Sequence, residues 1–343
     1  MLSAIDVMYI VREMKEQIED SKIVKVYSKG KDITIELFKS GKGRLLLRII
    51  PGIAIFITKD KDTTDIPNPF AMTLRKKLKQ GKLLEIKQID SERIVELRID
   101  KLRLIVELFG KGNIVLVDNE DKILSCIDNQ EWKDRTVKKG EIYKRPPGKA
   151  DLFKLEPEEF KVLADKSDKD SIVKVLAVDF GLGSRYAEEV CRRAQVDKSK
   201  RNRVDIHKIH REVMNLKNER LSPSIMEYDG TEVVPIELES RAEIPRDTFI
   251  TFSQALDRYF RSLRLEEAEV GKDKLIKVAE IQKERAKELE EESVLFKEIA
   301  DKIYANYEII NNLINEVKET RWTTKNPLIL EKNRKEGKII IEL

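Results

Sequence analysis

Apolar and polar residues alternate through much of residues 22–126, and this period of two predicts β-strands. The segments are KIVKVYSKGKDITIELF, GRLLLRIIPGIAIFIT, RIVELRID, LRLIVELFGKGNIVLVD and KILSCID, separated by glycine or aspartate turns. Alternation places the apolar side chains on one face of a strand, and short turns join successive strands as antiparallel neighbours. A short helix is predicted at NPFAMTLRKKLKQGKL, between a proline-bearing start and Gly81. With an amphipathic helix in residues 1–20, residues 1–148 are predicted to form an antiparallel β-rich domain.

The rest of the chain changes to a helical period. Residues 149–252 are predicted to form a second, helical domain with one or two strands near residues 232–240. From 254 to 320 the chain has no proline and one glycine, Gly271, and apolar residues recur at steps of three and four among dense Glu and Lys. This pattern predicts a coiled-coil arm in a third region, 253–343, with Ser253 as its helix cap. A long helix packed within the domain is the alternative.

The chain ends in EGKIIIEL, which is predicted to form a strand. Such a strand needs a partner, supplied by an earlier strand or by sequence beyond residue 343. The predicted fold class is therefore α+β and multidomain, with a β-rich N-terminal domain, a helical domain and an arm.

Composition excludes several classes of protein. The 343 residues carry a net charge of +4, from 67 basic and 63 acidic residues, so any basic surface must come from local clusters. Cys126 and Cys191 are the only cysteines and are far apart, which excludes a disulfide framework or a zinc ribbon. Neither a signal peptide nor an apolar run of membrane-spanning length is evident, so we expect a cytoplasmic protein without a membrane partner.

The stretch DFGLGSRYAEEV, residues 179–190, has the pattern of a helix-hairpin-helix motif. Two glycines in a tight hairpin let backbone amides approach a phosphate without an intervening Cβ. The following helix would add its free N–H groups and the positive end of its dipole. We therefore expect a phosphate-binding hairpin at Gly181, Leu182 and Gly183, with Arg185 beside it. The alternative is a plain corner between two helices, in which the glycines only permit the turn.

Three basic clusters point to nucleic acid. Residues 192–211 hold eight basic residues against two acidic ones, and residues 75–82 and 133–149 are also enriched in Lys and Arg. Such clusters favour contact with a phosphate backbone. The aromatic residues have core-like spacing, so no base-stacking platform is expected. The residues selected are Arg192, Arg193, Lys200, Arg201 and Arg203 in the first cluster, Arg75, Lys76 and Lys77 in the second, and Arg135 in the third.

Catalytic signatures are missing from the sequence. There is no P-loop, no GxSxG and no HExxH, and His207 and His210 are interpreted as surface residues rather than metal ligands. We predict neither cofactor, metal site nor small-molecule substrate, and no enzymatic activity. A DNA glycosylase is an alternative, but Met1-Leu2-Ser3 lacks the N-terminal proline and adjacent glutamate of that chemistry. A secreted adhesin is a third, without a secretion signal to support it.

Taken in order, several stretches resemble the NFACT family of ribosome quality-control factors, also labelled fibronectin-binding protein A-like. They cover essentially the whole chain, and the match resembles an archaeal member. The family resemblance rests on SAIDVMYIVRE, PNPFAMTLRKKLKQGKL, QIDSERIVEL, ELFGKGNIVLVD, RTVKKGEIYKRPPG, GLGSRYAEEVCRRAQVD, FSQALDRYF and ADKIYANYEII.

The resemblance implies a binding factor for tRNA and for a large ribosomal subunit that carries peptidyl-tRNA. It implies support for template-free tailing of stalled chains, with the ribosome as the peptidyl transferase. It also implies a glycosylase-like N-terminal domain that contacts tRNA through Asp6 and through an acidic residue paired with Arg93. Glu92 stands where most members have aspartate. A homodimer through the arm is a further expectation.

Overall fold

The structure is a computed structural model that describes residues 1–61, 63, 66–146, 148, 151–201 and 204–342, with the backbone alone for 267–277. The chain divides into two compact units, Met1–Leu263 and Arg264–Leu343. Together they form a mixed α+β protein whose sheets are antiparallel.

Two antiparallel sheets dominate the beginning of the first unit. The first is a meander of four strands, β1 (Lys22–Lys29), β2 (Asp32–Lys39), β3 (Gly43–Ile50) and β4 (Ala54–Thr58). Helix α2 (Pro69–Leu78) follows, and the second sheet contains β5 (Leu83–Gln88), β6 (Ile94–Ile99), β7 (Leu102–Glu107), β8 (Asn113–Val117) and β9 (Ile123–Cys126). The short hairpin β10 (Gln130–Glu131) and β11 (Thr136–Val137) comes next. Each of the five predicted alternating segments thus lies in one or two strands.

Helix α1 (Ala4–Ile18) is buried on more than one face. Val7, Ile10 and Met14 pack into the main core with apolar residues of both sheets and of α2. Ile5 and Tyr9 pack instead into a second core with the helical region. The Tyr9 hydroxyl donates a 2.6 Å hydrogen bond to the carbonyl of Leu216. The helix predicted in residues 1–20 is confirmed, and the structure places it between two cores.

The helical region of the first unit contains α3 (Pro157–Lys166), the single turn α4 (Ile172–Lys174), a π-helical turn (Val175–Asp179), α5 (Gly183–Arg193) and α6 (Ile206–Asn218). Short 3₁₀ turns lie at Leu152–Lys154 and Glu239–Arg241. A three-stranded antiparallel sheet follows, with β12 (Ser224–Glu227) between β13 (Thr231–Val234) and β14 (Arg246–Thr248). One or two strands were predicted near residues 232–240; β13 overlaps the start of that region, β12 lies before it and β14 lies after it.

Helix α7 (Phe252–Ala305) starts on a carboxylate from a distant part of the chain. The backbone amides of Phe252 and Ser253 donate to Glu13 Oε2 and Oε1, at 2.5 and 3.1 Å. A carboxylate at this position satisfies free N–H groups and complements the helix dipole. The prediction that Ser253 caps this helix is wrong, because the Ser253 hydroxyl instead accepts a hydrogen bond from the Ile57 amide, at 3.2 Å.

In the second unit, helix α7 continues to Ala305 and α8 (Tyr307–Glu319) follows after a break at Asn306. The side chains from 278 to 299 are all exposed. The predicted terminal strand is β16 (Lys338–Ile341), and its partner is β15 (Ile329–Asn333) in an antiparallel hairpin. Within the described residues, no helix of either unit has an apolar stretch long enough to cross a bilayer.

Candidate nucleic-acid interface

The turn Gly181-Leu182-Gly183 joins the π-helical turn to helix α5. Both glycines have φ of +75°, a left-handed conformation that disfavours residues with a Cβ. Leu182 is buried, and its amide donates to the carbonyl of Leu176 at 3.1 Å. The leucine therefore fixes the turn from the inside while the glycines leave its outer surface bare.

The amino end of α5 opens into a cleft. No side chain caps the helix, and no described residue accepts a hydrogen bond from the amides of Gly183 or Ser184. A Cβ placed on Gly183 would have no atom within 4 Å, so the space above the turn is open. The cleft has a volume of about 390 Å³ and is lined by residues 1–4, 91–93, 177, 180, 181 and 183. Free amides at a helix start are donors for an anion.

The opposite wall of the cleft is the turn between β5 and β6, with Ser91, Glu92 and Arg93. Gln88 fixes this wall, because its side-chain amide donates to the carbonyls of Ala4 and Glu92 at 2.9 and 2.8 Å. The Arg93 guanidinium lies 2.7 Å from Met1 Sδ. The fold thus gathers Glu92, Arg93 and the two hairpin glycines around one cleft, although the sequence separates them widely.

Asp6 lies beside this cleft but is itself buried, with 1% of its surface exposed. Its carboxylate accepts from the backbone amide and hydroxyl of Ser3, both at 2.8 Å, which caps α1. It also accepts from Arg185 Nη2 at 2.6 Å and from the Tyr186 hydroxyl at 2.7 Å. Asp6 therefore connects the start of α1 to the first turn of α5, and Arg185 is bound to it rather than pointing freely into the cleft.

The charge of Asp6 affects the pKa values of both Arg185 and Tyr186. Burial alone would lower the pKa of Arg185, but Asp6 and other nearby acidic groups outweigh it and raise that pKa above its ordinary value. Burial and then the charge of Asp6 raise the pKa of Tyr186 well above its ordinary value. Arg185 therefore stays charged and Tyr186 stays a neutral hydrogen-bond donor at physiological pH. Tyr186 was not selected from the sequence, which carries no local sign of this contact.

Three other predicted contacts lie on helix α2. Lys76 and Lys77 are exposed, whereas Arg75 Nε donates to the carbonyl of Val26 at 2.6 Å. None of the three is among the residues that line the cleft. The two lysines are therefore available to a ligand, while Arg75 is partly engaged in holding α2 against strand β1.

The basic cluster that follows α5 is less uniform than its composition suggests. Arg192 is exposed, and Lys200 pairs with Asp197 at 3.2 Å on the surface. Arg193 is mostly buried between Glu189 and Glu219, at 2.5 and 2.7 Å. Arg201 donates to the backbone carbonyls of Lys169 and Asp165, at 2.8 and 3.0 Å. The predicted contact Arg203 lies outside the described residues.

The remaining predicted contact, Arg135, is buried elsewhere in the first unit and pairs with Glu107 at 2.9 Å. His207 is exposed. His210 has a structural role, because its Nε2 lies 2.9 Å from the carbonyl of Leu155 and its ring packs edge-on against Phe160. Among the described residues, no group of three or more His, Cys, Asp or Glu side chains has the geometry of a metal site.

The geometry defines a class of protein: an antiparallel α+β fold whose helical region presents an uncapped helix start to a cleft. A family model places the chain more closely. Residues 3–343 match the model of the NFACT N-terminal and middle domains, and the chain belongs to the NFACT family.

Similarity to individual curated proteins supports the same family assignment. The chain is 32% identical over 314 residues to the archaeal Rqc2 homologue aRqcH of Methanocaldococcus jannaschii, covering 84% of this chain and 47% of that protein. It is 26% identical over 272 residues to the Rqc2 homologue RqcH of Bacillus subtilis, covering 73% and 47%. Ribosome quality control complex subunit 2 of Saccharomyces cerevisiae is 24% identical over 276 residues, covering 74% and 26%. The chain thus spans half or less of the length of these curated relatives.

Solved structures support the fold. The N-terminal part of the fibronectin/fibrinogen-binding protein of Streptococcus suis has a TM-score of 0.63 and 24% identity, over 76% of this chain and all of that one. The fibrinogen-binding protein of Staphylococcus aureus has a TM-score of 0.64 and 22% identity, over 75% and 98%. At these identities the likeness concerns the fold alone.

Proposed function

We propose that this chain is the tRNA- and ribosome-binding part of a ribosome quality-control factor. The names of its relatives support the assignment, since they describe Rqc2 homologues and a ribosome quality control subunit. In this proposal the chain binds tRNA and the large ribosomal subunit with its peptidyl-tRNA, and supports template-free tailing of the stalled chain. It works as a binding factor, and the ribosome forms the peptide bonds.

The observation that carries the proposal is the start of helix α5. Two left-handed glycines, a buried leucine between them and uncapped amides facing an open cleft form a binding site for a phosphate. We interpret this turn as the hairpin of a helix-hairpin-helix motif. Arg93 on the facing wall adds a positive charge, and its guanidinium can fork onto a second phosphate oxygen. Such contacts recognise an RNA backbone rather than a base sequence.

Replacing Gly183 with Val is expected to weaken tRNA binding about ten- to a hundredfold, since a branched side chain blocks amide hydrogen bonds to a charged acceptor. The measurement is filter retention of tRNA over a salt series. The loss should be similar at every salt concentration, because neutral amides release no counterions from the nucleic acid.

Gly41→Val is the matched control for this substitution. Gly41 has φ of +79°, against +75° at Gly183, and neither position has an atom within 4 Å of an added Cβ. Both variants carry the same backbone strain, but Gly41 lies in the turn between β2 and β3, far from α5 in sequence. If both variants bind equally well, the α5 turn is only a corner between helices and the proposed phosphate site is wrong. If the wild type retains no tRNA, the tRNA-binding function proposed for this chain is wrong.

The exposed lysines of α2 should behave differently from the glycines. Replacing Lys76 and Lys77 with Ala is expected to reduce the slope of log K against log salt by about 0.7–0.9 for each phosphate that a lysine no longer neutralises. The same retention assay measures it, and the double Arg variant should keep the slope of the wild type. An unchanged slope in the Ala variant would remove α2 from the RNA contact surface.

The long helix supports the part of the proposal that concerns the ribosome. In the second unit, Ile281, Leu289 and Phe296 are exposed on α7, and further apolar residues follow at helical spacing. An exposed apolar face on a charged helix is typical of a coiled-coil arm. We propose that this arm binds a partner, either a surface of the large subunit or a second copy of the chain.

A further inference from the structure

A second cleft in the first unit is larger than the cleft at α5 and has a different chemistry. Its volume is about 700 Å³, within the range usual for ligand pockets. It lies between the turn that links β7 to β8, with Phe109 and Lys111, and the loop of the β10–β11 hairpin, with Trp132 and Arg135. Trp132 is 47% exposed at this cleft. No base-stacking platform was expected from the sequence, and a large aromatic ring in a cleft is a reason to revise that expectation.

Arg135 is held against the Trp132 ring by a buried network. Its guanidinium carbon lies 4.3 Å from the ring centroid. Glu107 accepts from Arg135 Nη2 with one carboxylate oxygen and from the Tyr143 hydroxyl with the other, both at 2.9 Å. All three partners are buried. Because both oxygens of Glu107 are used, the cation over the indole is fixed before any ligand arrives.

The opposite wall of the cleft is rigid for a steric reason. A Cβ on Gly112 would lie 1.9 Å from the amide nitrogen of Gly52, so the 110–112 turn presses directly on the 51–52 turn. Gln130 connects the two walls, because its side-chain amide donates to the carbonyl of Gly112 at 2.9 Å. The 110–112 turn is thus held by the 51–52 turn on one side and is joined to the start of the Trp132 hairpin by the Gln130 side chain on the other.

Shape and charge together indicate the ligand. An exposed indole face backed by a guanidinium stacks with flat aromatic groups, and every nucleobase has such a face. The lining itself carries one exposed cation, Lys111, and two exposed acids, Glu131 and Asp134. The chain around the lining is more basic, because residues 130–146 add one further exposed acid, Glu141, and five exposed cations: Lys133, Lys138, Lys139, Lys144 and Arg145. An aromatic group that carries negative charge on both sides is a nucleotide within an RNA strand. An aromatic side chain in a peptide lacks those flanking phosphates.

We propose that this cleft holds an unpaired nucleobase of the bound RNA, stacked on Trp132, with the flanking phosphates at Lys111 and Lys133. The inference rests on the proposed RNA-binding function and adds to it a contact that senses whether a base is unstacked. The start of α5 contacts backbone alone, so the two sites distinguish paired from unpaired RNA when both are occupied.

The test uses Trp132 as its own reporter. The chain has two tryptophans, so the Trp322→Phe variant leaves Trp132 as the only indole. A single-stranded RNA oligonucleotide is titrated against an abasic oligonucleotide with the same number of phosphates. Stacking is expected to quench the fluorescence of Trp132 with the base-bearing strand and not with the abasic one. The base-bearing strand should bind about tenfold more tightly, from the stacking of one base.

In filter retention, the Trp132→Ala variant should lose this tenfold preference and bind both strands alike, whereas Trp132→Phe should keep most of it. Equal binding of the two strands by the wild type would overturn the stacking inference while leaving the tRNA-binding proposal intact. Quenching by an acidic peptide with aromatic residues, but not by RNA, would overturn it in favour of a protein ligand. Failure of the wild type to retain tRNA is a separate result and contradicts the proposed function itself.

Discussion

Gly112→Ala is expected to lower the free energy of unfolding of the first unit by at least about 4 kcal/mol, in the range typical of severe steric conflicts. The added Cβ would lie 1.9 Å from the Gly52 amide nitrogen and 2.3 Å from the Pro51 carbonyl carbon. Both are backbone atoms just after the end of β3, so no flexible side chain can move aside. Gly112 also has φ of +68°, which adds strain for any residue with a Cβ.

Gly110→Ala is the matched control, two residues earlier in the same turn. Gly110 has φ of +55°, but an added Cβ there has no atom within 4 Å. Only the backbone strain remains, and a loss of about 1–2 kcal/mol is expected. Urea unfolding followed by Trp132 fluorescence, in the Trp322→Phe background, measures both variants. Similar losses for the two would show that the contact between the turns is not as tight as the structure has it.

The sheets of this protein follow closely from its sequence. Alternating apolar residues and glycine or aspartate turns specify neighbouring antiparallel strands, because each strand pairs with the next one along the chain. The order β1-β2-β3-β4 and the order β5-β6-β7-β8-β9 are both of this kind. Local information was also sufficient for the long helix, whose 54 residues span most of the predicted arm.

Contacts between distant parts of the chain could not be predicted in this way. Glu13 caps helix α7, and the predicted cap Ser253 instead donates its own backbone amide to that carboxylate, as Phe252 does. Nothing in the local pattern of either segment indicates that contact. The same limit explains helix α1, since its burial on several faces depends on a helical region more than 140 residues further along the chain.

The candidate site shows which part of an electrostatic prediction is reliable. Counting charges along the chain assigned Arg193 and Arg135 to a nucleic-acid surface. In the fold each meets a buried carboxylate, Glu189 or Glu107. A guanidinium forms paired hydrogen bonds more readily than an ammonium, so arginines are the cations most readily taken up by such contacts. Of the residues selected, Lys76, Lys77, Arg192 and Lys200 remain exposed cations, and the turn remains open at Gly183.

Asp6→Asn is expected to destabilise the first unit by about 3–5 kcal/mol, the cost of leaving a buried cation without its partner. Asp6 binds Ser3, Arg185 and Tyr186 at once, so the substitution affects the cap of α1 and the first turn of α5 together. Urea unfolding measures the loss. Asp20→Asn is the control, because the Asp20–Lys82 pair at 2.7 Å is exposed and its removal should change stability little.

The double variant Asp6→Leu/Arg185→Met shows whether the loss of stability comes from the broken Asp6–Arg185 ion pair or from the loss of Asp6 alone. Removing both charges leaves no unpaired cation, so the double variant should be more stable than the sum of the two single losses predicts, by about 1–3 kcal/mol. The family resemblance instead implies that Asp6 contacts tRNA directly. If Asp6→Asn keeps the stability of the wild type but loses tRNA in the retention assay, that direct contact is correct. If stability falls and the folded variant still binds tRNA, Asp6 acts by holding α5 in place, which its 1% exposure favours.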